Sequence, residues 1–308
     1  MKWAIWLGVW CLCASGAVAD IGYSGMARVA DDAFLVVNDR KASVPGYRLG
    51  IITVNAERGV VFRALEVADW KDPDGPANDL EACCAIPGRP QEYLVAESGY
   101  VRRKFGRVFH LRLTRGMPDA WGVEVLQAFR LAGPPGDEGT TADGDQIEGI
   151  ACFRFGAKTV LVCASRGSNR GGAPRLSRLT FGELDLQQHR FTRWAEVPLV
   201  ASSLLNDRDC ADLLVRAENG VWALWAVATV DVGDLGPYRS MVYRAGTFVP
   251  NVASGQVDFR PDQAPGARYE IHGLKVEAIA EPAATVPGSA FSIATDDEAY
   301  GGIWRPLF

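Results

Sequence analysis

The sequence predicts an all-β fold, a single β-propeller of about five blades with four strands each. Five segments share one pattern, in which a small or acidic residue opens a short apolar run, and a second apolar run then ends in a polar cluster. These runs are rich in Val, Ile, Leu, Phe and Trp and are bounded by Gly, Pro, Asn or Asp, which is typical of strands joined by hairpins. No capped amphipathic helical pattern separates them.

The five repeated segments start 57, 67, 61 and 68 residues apart. They are SGMARV with FLVVND from Ser24, EACCAI with YLVAES from Glu81, EGIACF with VLVCASR from Glu148, DCADLLV with VWALWAVATVD from Asp209, and EAIAEP with AFSIATDDE from Glu277. Apolar stretches between the segments, such as RLGIITV and VVFRALEV, predict the outer strands of each blade. Because a blade buries its two faces only against neighbouring blades, the units must close into a ring. A β-sandwich also fits short strands with turns, and the short last unit could take a strand from the other terminus.

The repeated polar positions predict a shared site. The first strand of each propeller blade lines the central channel, so residues that open these strands meet at one mouth of the channel. The predicted ring consists of Glu81, Glu148, Asp209 and Glu277, joined from the ends of the second strands by Asp39, Arg166, Asp231, Asp296, Asp297 and Glu298. Carboxylates forced together raise one another's pKa unless a cation lies among them.

Two interpretations of this acidic ring stay open. In the first, Ca²⁺ or another hard divalent cation binds the carboxylates and polarises a phosphoryl or carbonyl oxygen for attack by water. The predicted ligands are Asp39, Glu81, Glu148, Asp209, Glu277 and Asp297. In the second, basic residues beside the acids neutralise the ring, which is then a structural part of a noncatalytic binding or scaffold propeller. These basic residues are Lys41, Arg166, Arg208 and Lys275.

The same basic residues predict how an anionic small molecule would bind. Guanidinium groups hold phosphate and carboxylate oxygens in a bidentate manner, so Arg166 and Arg208 are predicted to bind substrate together with Lys41 and Lys275. The acid-rich segment KDPDGPANDLE, from Lys71 to Glu81, resembles a calcium loop but does not fit the EF-hand pattern. Its Asp-Pro and Asp-Gly words are ordinary turn formers, so a plain loop is the simpler interpretation.

The N-terminus predicts export. Residues 1–19 combine Lys2, an apolar run and the sequence Ala17-Val18-Ala19, which is the pattern of a secretory signal peptide, and residues 20–308 form the propeller domain. The apolar run is too short for a membrane-spanning helix, the alternative interpretation, and we expect no other span. The exported chain, periplasmic or extracellular, carries 31 basic and 37 acidic residues, and this net charge of −6 disfavours nucleic acid as a partner.

Five cysteines remain in the exported chain. In an oxidising compartment disulfides persist, and an odd number leaves at least one thiol without an intrachain partner. The stretch ACFRFGAKTVLVC reads as a hairpin turning at Ala157-Lys158, which would set Cys152 opposite Cys163 and predicts a disulfide between them. A packed pair of free thiols is the alternative.

Several of these words resemble those of a known family. The words SGMARV, VVNDRK, NDLEACCAIPG, IEGIAC, ASRG, DRDCADL, DVGDLGPYRS, LKVEAIA and ATDDEAYGG resemble, in order, a family of bacterial secreted proteins defined only as a domain of unknown function. More loosely, the chain is similar to propellers with esterase-like activity of the phytase type. That resemblance implies a calcium-supported phosphoester or ester hydrolase, carried by Glu148 in IEGIA and by Asp39 and Arg40 in NDR. Glu148 and Arg166 are accordingly the predicted catalytic residues.

The signal peptide gives the first testable prediction. Cleavage after Ala19 is expected, because Ala17 and Ala19 form the small-residue cleavage pattern and Asp20 then opens the mature chain. N-terminal sequencing of exported protein from a bacterial host should begin at Asp20. Material that begins at Met1 would contradict the prediction.

Overall fold

The computed structural model contains twenty strands in five antiparallel sheets. The described residues are 22–55, 57, 59–99, 106–116, 120–131, 146–167, 176–199, 208–230, 232–263 and 268–308, with residues 208, 209, 268 and 299 described by backbone alone. No helix within these ranges is long and apolar enough to cross a membrane.

The sheets follow one another along the chain, and each is one blade. Blade 1 contains β1 (Gly25–Ala30), β2 (Ala33–Val37), β3 (Leu49–Asn55) and β4 (Gly59–Leu65). Blade 2 contains β5 (Leu80–Ala85), β6 (Glu92–Glu97), β7 (Arg107–Gly116) and β8 (Ala120–Arg130). Blade 3 contains β9 (Ile147–Phe155), β10 (Lys158–Ser165), β11 (Ser177–Asp185) and β12 (Arg190–Leu199).

The last two blades depart from four strands. Blade 4 contains β13 (Arg208–Glu218), β14 (Val221–Val230), β15 (Arg239–Asn251), β16 (Gln256–Pro261) and β17 (Arg268–His272), of which both β16 and β17 pair with β15. Blade 5 contains β18 (Val276–Ala280), β19 (Phe291–Thr295) and β20 (Trp304–Leu307). Within the described ranges, blade 5 takes no strand from the N-terminal part of the chain.

The five sheets close into a ring, which confirms the predicted propeller. The first strands of successive blades, β1, β5, β9, β13 and β18, contact one another in turn, and β18 contacts β1 again. Five hydrophobic cores fill the five gaps between neighbouring blades. At the closing gap, the rings of Phe34 and Trp304 lie 6.2 Å apart, and the Tyr23 amide donates to the Thr295 carbonyl at 3.0 Å. Burial of apolar surface between blades therefore holds the ring together.

The strands approach one another closely at the axis. A Cβ atom on Gly25 would lie 2.8 Å from the Cα of Ala82, and one on Gly149 would lie 2.9 Å from the backbone nitrogen of Leu213. Both distances are shorter than van der Waals contact, so these two positions require glycine. Neighbouring inner strands are therefore in close backbone contact at these two positions.

Asp212 of β13 lies fully buried beside this axis. Its carboxylate accepts hydrogen bonds from the backbone N–H of Leu213 at 2.8 Å and of Ile279 at 2.9 Å, and from that of Met26. Burial raises the pKa of this carboxyl well above its usual value, and the backbone donors oppose the rise. One side chain thus connects blades 1, 4 and 5.

The predicted disulfide between Cys152 and Cys163 is wrong. The β9–β10 hairpin turns at Gly156 and Ala157, with Gly156 at φ 59°, and Phe155 therefore pairs with Lys158. Cys152 lies opposite Leu161 and Cys163 opposite Ile150, so the pairing is two residues away from the predicted register. All five cysteines of the described chain are free thiols.

Replacing Asp212 tests its connecting role. In Asp212→Asn, the side-chain NH₂ would face backbone N–H donors, so at least one buried donor loses its acceptor. We expect the free energy of unfolding to fall by about 2–4 kcal/mol. Urea denaturation measures it, with Glu57→Gln in the exposed turn between β3 and β4 as the control. Equal midpoints for the two variants would contradict this role.

Candidate functional site

One mouth of the channel is built from the starts of β5, β9 and β18 and from the ends of β2, β10 and β19. The pairing of each of these first strands is interrupted by a β-bulge at its acid: Ala82 follows Leu80 in the register, Gly149 follows Ile147, and Ala278 follows Val276. The residues skipped are Glu81, Glu148 and Glu277. A bulge re-aims a side chain, so the same irregularity in three blades gathers three acids at one opening.

Glu81 has four other carboxylates as neighbours, and they affect its pKa. Burial raises this pKa well above its usual value, and neighbouring carboxylates raise it further. Those neighbours are Glu148, Asp79, Asp39 and Glu277. The structure thus brings together four of the predicted ligands, Asp39, Glu81, Glu148 and Glu277. The side chains of Arg208 and Asp209, and the whole of Asp231, lie outside the described residues.

The tightest group in this mouth is Asp39, Asp79 and Glu81. One carboxylate oxygen of each residue lies within 4.8 Å of the others. Asp79 accepts a hydrogen bond from the Ser98 hydroxyl at 2.7 Å and pairs with the ammonium of Lys41. Glu81, only 9% exposed, and Asp39 accept no hydrogen bond from any described residue. Two carboxylates of the group are therefore left without a direct partner in the described chain.

Asp79 was not among the predicted ligands, because its segment reads as a turn. It has a left-handed backbone, φ 64°, immediately before β5. The segment is held by Arg107, a fully buried guanidinium that donates to Glu97 at 2.6 Å and to Asp72 at 3.0 Å. Glu97 in turn accepts the backbone N–H of Asn78 at 2.7 Å. The buried Arg107–Glu97 ion pair thus fixes the backbone next to Asp79.

A second group of acids surrounds Lys275. Its ammonium lies 3.2 Å from Glu277, 3.7 Å from Asp296 and in contact with Glu298. Asp297, a predicted ligand, instead accepts the Lys275 backbone N–H at 2.6 Å. The Lys275 side chain is 5% exposed, so it neutralises the mouth from within and is not placed to meet a substrate from solvent.

Arg166 lies at the same mouth from the blade 3 side. Its guanidinium is 3.7 Å from Glu148 and donates to Gln146 at 3.2 Å, with a quarter of the side chain exposed. Lys41 is the most exposed cation of the mouth, at 54% of its side chain. Among the predicted substrate-binding residues whose side chains the structure describes, Arg166 and Lys41 are the two that solvent reaches.

Among the described residues of this mouth, negative charge exceeds positive charge. Eight described carboxylates face three described cationic side chains that pair with them, Lys41, Arg166 and Lys275. The carboxylates are those of Asp39, Asp79, Glu81, Glu148, Glu277, Asp296, Asp297 and Glu298. Burial and mutual repulsion accordingly raise the pKa of Asp39 and of Asp297. This arrangement favours the protonated form of these carboxyls.

Asp296 lies where this charge meets solvent. It lines an open cavity of about 370 Å³ together with Asp39, Arg40, Asp234 and Glu298. Burial raises its pKa to about 7, helped by the negative charge of Glu277 and opposed by Lys275. A carboxyl that exchanges its proton near neutral pH is suited to general acid or base chemistry.

Comparisons with known proteins concern the fold. No protein-family model and no curated protein matches the chain. A GH43_12 retrieved from capybara gut metagenome is 13% identical, with a TM-score of 0.48, over 89% of this chain and 47% of that one. An exo-1,5-alpha-L-arabinanase from a bovine ruminal metagenomic library is 12% identical, with a TM-score of 0.48, over 93% of both chains. The β-propeller domain of Myceliophteria thermophila Cps50 (Swd1) is 9% identical, with a TM-score of 0.36, over 94% of this chain and 99% of that one. The chain spans about half the length of the first of these proteins.

The raised pKa of Asp296 predicts a pH dependence of stability. Between about pH 4, where an unfolded Asp titrates, and pH 7, the folded protein holds a proton that the unfolded chain has released. The free energy of unfolding should therefore fall as the pH rises through this window. Asp296→Asn should make the fall shallower, as measured by urea denaturation in chelator at several pH values. An unchanged slope in Asp296→Asn would contradict the assignment.

Proposed function

We propose that the acidic mouth binds one hard divalent cation, Ca²⁺ first, through Asp39, Asp79 and Glu81. We further propose that the loaded site hydrolyses a small phosphoester or a related anionic ester. The observation that carries the proposal is the group of three carboxylates, two of which have no direct partner in the described chain although Glu81 is nine-tenths buried. Carboxylates crowded at a largely buried position repel one another, and a bound cation would remove that cost.

The three carboxylates fit such a cation. Calcium is bound by oxygen ligands at 2.3–2.6 Å, so oxygens on opposite sides of the ion lie up to about 5 Å apart. The oxygens of Asp39, Asp79 and Glu81 lie within 4.8 Å of one another. Lys41 holds Asp79 in the cation's absence, and its half-exposed side chain is free to turn toward solvent. The same turn would present its ammonium to an anionic substrate.

Different residues of the mouth have different roles in the proposed reaction. The cation, when bound, supplies positive charge that polarises a phosphoryl or carbonyl oxygen. Asp296, at the wall of the open cavity, would accept the proton of the attacking water. Arg166 and Lys41 would bind the anionic group. Glu148 is 2% exposed and lies behind Arg166, so we assign it to orienting that guanidinium rather than to contact with substrate.

The resemblance to phytase-type propellers supports the same proposal through the words NDR and IEGIA, which contain Asp39 and Glu148. In this reading the protein is an exported hydrolase. The substrate would enter the cavity beside Asp296 and Arg40.

A second function, a noncatalytic binding or scaffold propeller, is favoured by a different observation. Three described basic side chains of the mouth pair with acids: Lys41 with Asp79, Arg166 with Glu148, and Lys275 with Glu277 and its neighbours. In that case the charged ring holds neighbouring blades together, and protons rather than a metal balance the remaining acids.

Calcium titration separates the two functions. A hundredfold excess of Ca²⁺ over its dissociation constant should stabilise the fold by about 2.7 kcal/mol, which raises the melting temperature by about 5 °C or more. Glu81→Gln and Asp39→Asn should each lower this rise to less than about half, because each removes one ligand, and Glu148→Gln should lower it less. Glu57→Gln, in the exposed β3–β4 turn, is the control and should keep the full rise.

The hydrolase part has its own readout. A panel of phosphoesters and carboxylic esters is assayed with calcium and with chelator, and activity should require calcium. Asp296→Asn should lower kcat with little change in KM, since Asp296 is assigned to proton transfer and not to binding. If neither calcium nor chelator changes the melting temperature, the cation site is wrong and the salt-bridged scaffold is the remaining function. Calcium binding without hydrolysis of any ester would remove the enzyme and keep the cation site.

A further inference from the structure

The second mouth of the channel opens into a different cavity. The inner strands run from the acidic mouth to this opposite end, where a cavity of about 550 Å³ is lined by residues of β1, β5, β9, β13 and β18. Its wall includes the side chains of Arg28, Arg216 and Trp222, and it also includes two cysteines, Cys84 and Cys152. The acidic mouth and its proposed function use none of these residues.

The two cysteines of this cavity are in contact. Cys84 lies on β5 of blade 2 and Cys152 on β9 of blade 3, and their Sγ atoms are 3.6 Å apart. A disulfide requires about 2.05 Å between the sulfurs, so the two thiols, already in van der Waals contact, would have to approach each other by rotation about their Cα–Cβ bonds. β5 and β9 belong to different sheets, so the two sulfurs face each other across the gap between blades.

Two other cysteines of the described chain are directed elsewhere. Cys83 alternates with Cys84 on β5 and points its thiol at the carbonyl of Leu35 in blade 1, 3.7 Å away. Cys210 points its thiol at the Asp212 carbonyl at 3.8 Å. Cys163 of β10 lies opposite Ile150 of β9, is 5% exposed and packs in the same core between blades 2 and 3 as the Cys84–Cys152 pair.

We propose that Cys84 and Cys152 are a site of oxidative modification and form a disulfide that joins blades 2 and 3 at the rim of the second cavity. Cys152 is the more exposed of the two, and the cavity is large enough to admit a small oxidant to it. Cys84, which is 8% exposed, is the resolving thiol because it already touches Cys152. Export would deliver the pair to a compartment that supplies the oxidant.

The chemistry is a thiol–disulfide exchange with a low-molecular-weight disulfide or an oxidoreductase disulfide as the oxidant. The Cys152 sulfur, after losing its proton to water, attacks one sulfur of the oxidant and releases the other as a thiol. The Cys84 sulfur, likewise deprotonated, then attacks Cys152 and releases the second thiol. The protein loses two electrons and two protons in total, and the oxidant disulfide takes up both to become two thiols.

Peptide mapping tests this pairing in the full chain. Reduced protein is incubated with oxidised glutathione, unreacted thiols are alkylated in denaturant, and tryptic peptides are fragmented by mass spectrometry. We expect one cross-linked peptide pair, two hydrogens lighter than the sum of its parts, with the bond assigned to Cys84 and Cys152. Cys84→Ser and Cys152→Ser should abolish the pair, whereas Cys83→Ala and Cys163→Ser are matched controls that should retain it.

Stability gives a second readout on the same samples. The oxidised wild-type protein should unfold at a higher urea concentration than the reduced protein, because the bridge restricts the unfolded chain, and this difference should vanish in Cys152→Ser. Full alkylation of both Cys84 and Cys152 after incubation would overturn the proposal. So would a bridge that includes Cys163 or Cys83, or a product in which Cys152 retains glutathione while Cys84 stays alkylatable.

Discussion

A single buried carboxylate at the axis, that of Asp212, is the interaction on which the ring most directly depends. It accepts backbone N–H groups from blades 1, 4 and 5, at a level where the inner strands leave no room for a Cβ at Gly25 or Gly149. Hydrophobic cores between blades supply most of the stability, but they are not directional. The hydrogen bonds of Asp212 add direction, because they set the height of three inner strands relative to one another.

That common height explains why the same backbone irregularity can build a site. A bulge at Glu81, Glu148 and Glu277 redirects each acid near the start of its own strand. Because the inner strands are aligned in height, these three starts lie at one mouth. The gathered acids repel one another, and the repulsion is countered by a buried lysine, Lys275, and by the Arg107–Glu97 pair that fixes the adjoining loop. Lys275 and the Arg107–Glu97 pair thus allow several acids to lie close together at the mouth.

The sequence was sufficient to predict the repeat, the number of blades and the clustering of Glu81, Glu148 and Glu277. Once the blades close into a ring, residues at the same position of each repeat lie close together. It was insufficient where a side chain depends on contacts distant in the chain. Asp79 lies in a run of turn formers, and its position depends on Lys41, on the Ser98 hydroxyl and on the loop that the buried Arg107 holds. The residue opposite Cys152 depends on which residues form the β9–β10 turn. Gly156, with its positive φ, is part of that turn, so Cys152 lies opposite Leu161, two residues before Cys163. The three strands of the last blade agree with the short last unit of the repeat.

The excess of carboxylates at one end of the propeller also acts beyond the residues that it contacts. A group of like charges around a narrow opening with low-dielectric walls focuses its field outward, so cations arrive faster than by unguided diffusion. Dissolved salt screens this attraction over about 8 Å at physiological ionic strength. Because Asp296 changes charge near pH 7, the field also weakens as the surroundings become acidic. The end of the molecule therefore attracts cations with a strength set jointly by the acidity and the salt content of its compartment.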